Sequence, residues 1–398
     1  MARILIVGGS LGGLLAANLL HRAGHSVRVL ERSSRSLEGR GAGIVTHDSL
    51  RAALRAAGAV VDETLGIAVA SRVVLDARGE VECRWEHAQI LTSWGRLYTL
   101  LRAALPAPCH RLGASVVGTE QSSGSATALL AGGERIEGEL LIACDGIRSS
   151  VRAQLLPDLP SPYAGYVAWR GVCDEDSLSR HTRESLFPHF GFGLPEGEQM
   201  IGYPVAGSGD STAQGRRRWN FVWYRPATSS AILKELMTDA DGVHHAAGIP
   251  PQQVSWRQIA AVRQAARDKL APQFAEILEK TAVPFLQPIH DLASPRLAFN
   301  RIALLGDAAF VARPHVGMGV TKAGDDAMAL AACIAEQGAT PQALQAYEAE
   351  RLPIGAAVVQ RSRRLGEYLQ TPRGGHTPPR NPAAVMRQTA IDPRLFED

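Results

Sequence analysis

Three stretches of this chain set an acid beside glycines at spacings that can do chemistry. The first is Gly8-Gly9-Ser10-Leu11-Gly12-Gly13, followed further on by Glu31. Ile4 to Val7 form an unbroken apolar run, as a strand buried on both faces should, and Leu14 to Ala23 keep a helical apolar face. Gly24 stops the helix, and Val27 to Leu30 read as a second parallel strand ending in Glu31. Strand, glycine turn, helix, strand and acid in register read as a dinucleotide-binding unit. Free N–H groups at the helix start face a pyrophosphate, helped by the positive end of the helix dipole, and the strand-end acid accepts hydrogen bonds from a ribose. Gly8, Ser10 and Gly13 hold the three fingerprint positions. Ser10 departs from glycine, but its hydroxyl is small and can itself donate.

The second stretch, Asp145-Gly-Ile-Arg-Ser-Ser-Val-Arg152, follows the apolar strand Leu140 to Ala143. It has an acid and a tight turn before a helix, although a helix capped by Ser149 would explain the same residues. The third runs Gly306-Asp-Ala-Ala-Phe-Val-Ala-Arg-Pro-His-Val-Gly-Met-Gly319, after a strand at Arg301 to Leu305. A helix over Val320 to Glu336 follows. Glycines at its start leave N–H groups free to meet an electron-rich ring edge.

Composition bounds the elements that must hold these stretches. The 398 residues are 45% hydrophobic and 20% charged, an ordinary globular balance with length for more than one domain. A net charge of +3 gives no electrostatic footprint for nucleic acid, and Arg216 to Arg218 read as a solvated turn before a strand. No apolar run reaches the roughly eighteen residues of a membrane span. Five scattered cysteines show no metal-ligand spacing, and the amino terminus enters a strand at once. A reduced cytoplasmic protein with no metal is expected.

Periodicity predicts helices over His47 to Ala57, Thr92 to Leu101 and Ala343 to Tyr368, with Ala231 to Lys280 helical around Pro250 and Pro251. Strands are expected within Val73 to Trp85, around a turn at Ala77 to Glu80, and in the aromatic-rich runs Tyr163 to Val172, Gln199 to Val205 and Trp219 to Arg225. Gly39, Gly41 and Gly43 suggest backbone passing close to a ligand or another strand. The fold class is α/β, a Rossmann-like dinucleotide-binding domain with an inserted mixed-sheet domain. The expected division gives 1–71, 95–162 and 290–368 to the first domain and 72–94 and 163–289 to the second. The proline- and arginine-rich tail 369–398 reads as a packing or poorly ordered arm.

In this order the three stretches resemble the FAD-dependent aromatic hydroxylases, the single-component monooxygenases of the para-hydroxybenzoate hydroxylase class, from Arg3 to about Tyr368. Tyr163-Ala-Gly-Tyr-Val-Ala-Trp-Arg-Gly171, Gly306-Asp-Ala-Ala with Arg313-Pro-His315, and Lys322 with Asp325-Asp326 look like the branch of 2,6-dihydroxypyridine 3-hydroxylases, which act on hydroxylated pyridines. Phe310 stands where many relatives have histidine, and Trp94 where an arginine is often found near the flavin.

The resemblance implies that NADH or NADPH reduces FAD, that O2 adds to form a C4a-hydroperoxide, and that this passes oxygen to an electron-rich ring. It places Gly8, Ser10, Leu11, Gly12, Gly13, Glu31 and Arg32 at the pyrophosphate and adenosine ribose, Asp145 near FAD and nicotinamide, and Gly306 and Asp307 at the ribityl chain. Val45, Val117, Pro314, Gly317, Met318, Gly319 and Val320 complete the cofactor contacts it implies. N–H groups at Gly317, Gly319 and Val320 would stabilise charge on the reduced ring. No second dinucleotide unit is evident, so the nicotinamide visits transiently.

Substrate contacts are expected from Tyr203, Phe221, Trp223 and His315, with Trp169 a further candidate, although aromatics at strand spacing also serve as plain core. His315, Tyr203 and His47 are the candidate bases, a role typically contributing about 10² to 10⁴ in rate. His315 ranks first because it follows Pro314; a structural hydrogen bond is its equal alternative. Two other functions compete: an FAD oxidoreductase or hydroxylase of another ring class, such as hydroxybenzoates, and a non-catalytic flavin-binding protein. Arg313, His315 and Lys322 near the expected flavin edge speak against the last. A homodimer would be unsurprising for the family.

Overall fold

Apolar strands followed by glycine turns build the first of the two larger sheets in the computed structural model, which describes residues 1–37, 43–246, 248–370 and 380–391. Arg3–Val7 pairs in parallel with Ser26–Leu30 on one side and Leu140–Ala143 on the other. Ile302–Leu304 continues the sheet in parallel beyond Leu140–Ala143. Ile4, Ile6 and Leu140 to Ala143 are fully buried, as strands covered on both faces require.

The helices are α1 (Leu11–Arg22), α2 (Asp48–Ala56), α3 (Trp94–Ala104), α4 (Ser150–Leu155), α5 (Arg180–Leu186), α6 (Ser230–Leu236), α7 (Trp256–Lys269), α8 (Pro272–Lys280), α9 (Gly319–Gln337), α10 (Pro341–Gln370) and α11 (Pro382–Gln388). In the first domain α9 packs against α1, α2 and α10. Helix α3 starts later than its apolar pattern because Thr92 and Ser93 finish a strand, and the Ser93 hydroxyl caps the helix by accepting from Arg96 N.

The second sheet has eight strands in the order Phe285–His290, Tyr163–Asp174, Arg218–Pro226, Gln199–Val205, His189–Gly193, Ile67–Leu75, Val81–Ser93 and Gly43–Val45. Its alternating side chains divide between two cores. Trp219, Phe221 and Trp223 pack with Phe274, Ile277 and Val262 of α7 and α8. Val222 and Tyr224 turn the other way, with Tyr166, Tyr203 and Ile201. The expected domain boundary at 72 falls inside the strand Ile67–Leu75, whose small residues Ala68, Ala70 and Ser71 obscure its alternation. The whole hairpin from Ile67 to Ser93 belongs to the large sheet, with Gly43–Val45 at its edge.

At that edge the expected close approach of backbone is to another strand's side chains. Gly43 N donates to Asn220 Oδ1 at 2.8 Å, and a Cβ on Gly43 would lie 2.4 Å from Tyr203. Gly39 and Gly41 lie outside the described residues. Of the tail, Arg380 to Ile391 is a packing arm: α11 buries Val385 and Met386 completely.

Candidate active site

Three cavities adjoin one another in series, from the first sheet's strand ends to the face of the second. The first, about 660 Å³, is lined by Gly8, Ser10, Glu31, Arg32, Val117, Asp145 and Gly146. Ser10 and Gly146 also line the second, about 190 Å³, together with Leu11, Gly12, Trp94, Gly306, Asp307, Gly319 and Val320. Asp307, Gly319 and Val320 lead into the third, about 270 Å³, where Val45, Pro314, Gly317 and Met318 meet Arg170, Tyr203, Tyr224 and Gln287. Every expected cofactor position except Gly13 lines this trough.

Gly13 acts from behind it. A Cβ there would sit 2.0 Å from Gly8 O, and one on Gly8, at φ +102°, would sit 2.4 Å from Cys144 O. These glycines are set by the close approach of turn, helix and strand. Ser10 makes no capping bond to α1, so its hydroxyl is left to the trough. Glu31 is buried and accepts from Gly9 N and Ser33 N, each at 2.8 Å, which fixes its carboxylate at the cavity wall. Both carboxylate oxygens keep further lone pairs for ribose hydroxyls.

The Asp-Gly stretch is a clamp as well as a cap. Asp145 Oδ2 accepts from Ser150 N at 2.8 Å, while Ser149 caps α4 through Arg152 N at 2.9 Å. Arg152 Nη1 reaches Ala308 O at 2.9 Å and so ties this turn to Gly306-Asp307. Behind that turn Lys322 is buried, with Nζ 3.0 Å from Gly306 O and 3.3 Å from Asp326, which also takes Arg351 Nε at 2.8 Å. Lys322 therefore supports the turn from its rear and does not stand at a ring edge, as the sequence had led us to expect. Asp307 itself opens onto the trough. Protein on its other sides raises its carboxyl pKa by desolvation, against the opposing pull of Lys322.

The expected base is placed elsewhere. His315 is fully buried and does not line the ring cavity. Its Nδ1 lies 2.8 Å from Gln199 Oε1 and its Nε2 2.9 Å from Tyr166 Oη. The ring of Tyr224, which does line the cavity, packs with its centroid 4.1 Å from that of His315. Burial, with Arg313 adding to it, pulls the His315 pKa down to about 3. The imidazole is neutral, donates from Nδ1 and accepts at Nε2, the structural alternative for this residue.

His47 also lies outside the ring cavity: its Nδ1 meets Thr321 Oγ1 at 2.7 Å and joins the starts of α2 and α9. Tyr203 is in the cavity, but burial raises its pKa above the ordinary phenol value, so it is a donor there and not a base. Phe221, Trp223 and Trp169 belong to the opposite face of the sheet and pack under the helices. An alternating strand offers one face to each side, and the large aromatics took the core side. The residues missed are their neighbours, Arg170, Val222 and Tyr224, and Gln287 across from Ala168. Period two applied outward from Tyr203 and its partner strands would have found them. Arg170 Nε has no hydrogen-bond partner, and Arg170 lowers the Tyr224 pKa, which burial nonetheless holds at about 12. Arg313 also lines the cavity, but Asp291 takes its Nε at 2.8 Å.

Donors at the α1 start, carboxylates at Glu31 and Asp307, and N–H groups at the start of α9 give a trough that donates where a pyrophosphate belongs and accepts where hydroxyls belong. That sequence of partners fits FAD. Residues 6–56 match the NAD(P)-binding Rossmann-like domain family and residues 163–291 the FAD binding domain-like family. Over 98% of its length the chain is 31% identical to the 2,6-dihydroxypyridine 3-monooxygenase of Paenarthrobacter nicotinovorans, covering 96% of that protein. The chain belongs to the FAD-dependent aromatic monooxygenases of the para-hydroxybenzoate hydroxylase class. FAD is its cofactor.

The solved structure of 2,6-dihydroxypyridine-3-hydroxylase from Arthrobacter nicotinovorans is similar with a TM-score of 0.88 at 30% identity, covering 96% of this chain and 95% of that one. Klebsiella pneumoniae HpxO complexed with FAD and uric acid shares the fold, with a TM-score of 0.77 at 22% identity, covering 94% and 89% of the two chains. No helix among the described residues is long and apolar enough to cross a membrane.

Proposed function

We propose that this protein hydroxylates a small N-heteroaromatic ring bearing hydroxyl groups, of the 2,6-dihydroxypyridine type, with reduced nicotinamide and O2 as co-substrates. The observation that carries this reading is the lining of the ring cavity. Arg170, Tyr203, Tyr224 and Gln287 offer a cation, two phenols that stay protonated, and an amide that can both donate and accept. A ring whose nitrogen and oxygens present N–H and C=O groups side by side matches the Gln287 amide. Its ionised oxygen matches Arg170.

FAD supplies the oxygen-activating chemistry when bound. Glu31 and Asp307 would hold its ribose and ribityl hydroxyls, and the N–H groups at the start of α9 would face its ring. The chain's other work is to orient and to desolvate. Arg170 stabilises negative charge on the substrate ring, which favours its ionised, electron-rich form. Val222, Ile201, Phe190 and Ile289 close the cavity with apolar surface.

A second reading, a hydroxybenzoate ring, is favoured by one feature: Arg170 would also take a ring carboxylate. Purified holoprotein assayed with hydroxypyridines and hydroxybenzoates, following nicotinamide oxidation and product, separates the two. Hydroxylated product from a dihydroxypyridine supports the first. Product from hydroxybenzoates alone replaces it with the second.

A further inference from the structure

The C-terminal arm forms part of the ring cavity. Ala390 lines it, and Ala390 N donates to His315 O at 2.9 Å. On its other side the same residue lines a separate polar cavity of about 330 Å³, with Thr46, His47, Arg51, Arg72, His87 and Gln89. Val45 and Ala390 line both cavities, so the arm is a partition between the ring cavity and its polar neighbour.

What holds the partition is Arg72, on the strand Ile67–Leu75. Its side chain is fully buried, and no carboxylate among the described residues pairs with it. Nη1 donates to Met386 O at 2.9 Å and Thr389 O at 2.6 Å, Nη2 donates to Ala390 O at 2.8 Å, and Nε donates to Gln89 Oε1 at 2.7 Å. The guanidinium thus takes up carbonyls that the short helix α11 leaves unpaired at its end. Burying a cation without a counter-ion is costly, and an apolar side chain would fill the same space. The arrangement is explained by the fork of donors, which fixes Ala390 in place at φ 49°, a conformation alanine seldom adopts. Gln199 adds a second tie. Its Nε2 meets Thr389 Oγ1 at 3.1 Å, and its Oε1 meets His315.

We infer that Arg72 is a positioning residue for hydroxylation: by clasping the arm 380–391 it keeps water of the polar cavity out of the ring cavity. The inference rests on the monooxygenase reading above. When the partition opens, the hydride equivalent of reduced nicotinamide and one proton from water reduce O2 to H2O2, which leaves, and the ring keeps its hydrogen. With the partition closed, one oxygen atom enters the ring and the other leaves as water.

The test uses full-length holoprotein with FAD, NADH and 2,6-dihydroxypyridine. The variants are Arg72→Met, Arg72→Lys, deletion of 380–398, and the deletion combined with Arg72→Met. Hydrogen exchange across 380–391, iodide quenching of bound-flavin fluorescence, FAD content, and H2O2 formed per NADH oxidised are the readouts. Arg72→Met should speed exchange in the arm and raise quenching and the H2O2 fraction several-fold, with FAD content kept. Arg72→Lys should fall between it and the wild type, and the combined variant should be no worse than the deletion. Unchanged exchange in Arg72→Met would show that Arg72 does not hold the arm. Faster exchange with unchanged quenching and H2O2 fraction would reduce the clasp to a purely structural contact. If the wild type leaves 2,6-dihydroxypyridine untouched, the proposed substrate fails, while exchange and quenching still decide the role of the clasp.

Discussion

Arg152 Nη1 stands 2.9 Å from the carbonyl oxygen of Ala308, joining two turns that lie 156 positions apart in the chain. One turn ends the strand Leu140–Ala143 and the other follows Ile302–Leu304, which is its neighbour in the sheet. The contact ties the stretch that carries Asp145 to the turn that carries Asp307. Arg152→Met removes a charged donor and leaves the Ala308 carbonyl unpaired, a loss of about 1.5–3 kcal/mol. The expected outcome is an FAD dissociation constant raised about tenfold or more, measured by titrating apoprotein with FAD and following flavin fluorescence.

Asp307 should trade stability for cofactor binding. Its pKa is raised in the folded apoprotein, so the ionised carboxylate opposes folding once the pH exceeds its unfolded value, and the opposition is complete above the folded value. Asp307→Asn should therefore raise the melting temperature of apoprotein at neutral pH. Asp307→Ala should weaken FAD retention more than Asp307→Asn, because asparagine still offers a carbonyl acceptor. Full flavin occupancy in purified Asp307→Ala would remove this residue from the cofactor site.

His315 predicts a pH effect on folding and none on catalysis. Its folded pKa is about 3 against an ordinary value of 6.5. The unfolded chain therefore binds the proton first. Stability from the neutral imidazole is full above 6.5 and is lost as the pH falls toward 3, at up to about 1.4 kcal/mol per pH unit. Denaturant melts between pH 7 and 4 should show this slope in the wild type and a shallower one in His315→Gln. The pH profile of turnover should be the same in both proteins; a lost low-pH limb in His315→Gln would restore the histidine as a base.

Arg170 should govern the ionisation of bound substrate. In Arg170→Met, a hydroxypyridine should bind more weakly, and its bound absorbance spectrum should shift toward the neutral form, with KM raised more than kcat is lowered. Identical spectra in variant and wild type would show that the cation does not face the ring.

The cofactor half of this protein was legible because its chemistry is done by backbone. Gly8, Gly13 and Gly306 are dictated by turns and close packing, and Glu31 and Asp307 sit at strand ends, features that a linear sequence displays directly. The ring half was harder to read. Phe221 and Trp223 are as aromatic as Tyr203, and only the pairing of Tyr203 with Asn220 and of Met200 with Trp223 reveals which of them face the cavity. His315 was singled out by its neighbour Pro314, yet Gln199 and Tyr166, which fix its role, are remote in sequence. The tail gave no periodic signal long enough to announce a cavity wall: its helix is seven residues long.

The alternation along Arg218–Pro226 also bears on how such a protein changes its diet over generations. Trp219, Phe221 and Trp223 anchor the sheet to its helices, while Val222 and Tyr224, one residue away in each case, line the ring cavity. Mutations that alter ring preference and mutations that endanger folding thus occupy interleaved but separate positions. A combinatorial library confined to 170, 201, 222, 224 and 287 would explore new rings while drawing little on the fold's reserve of stability.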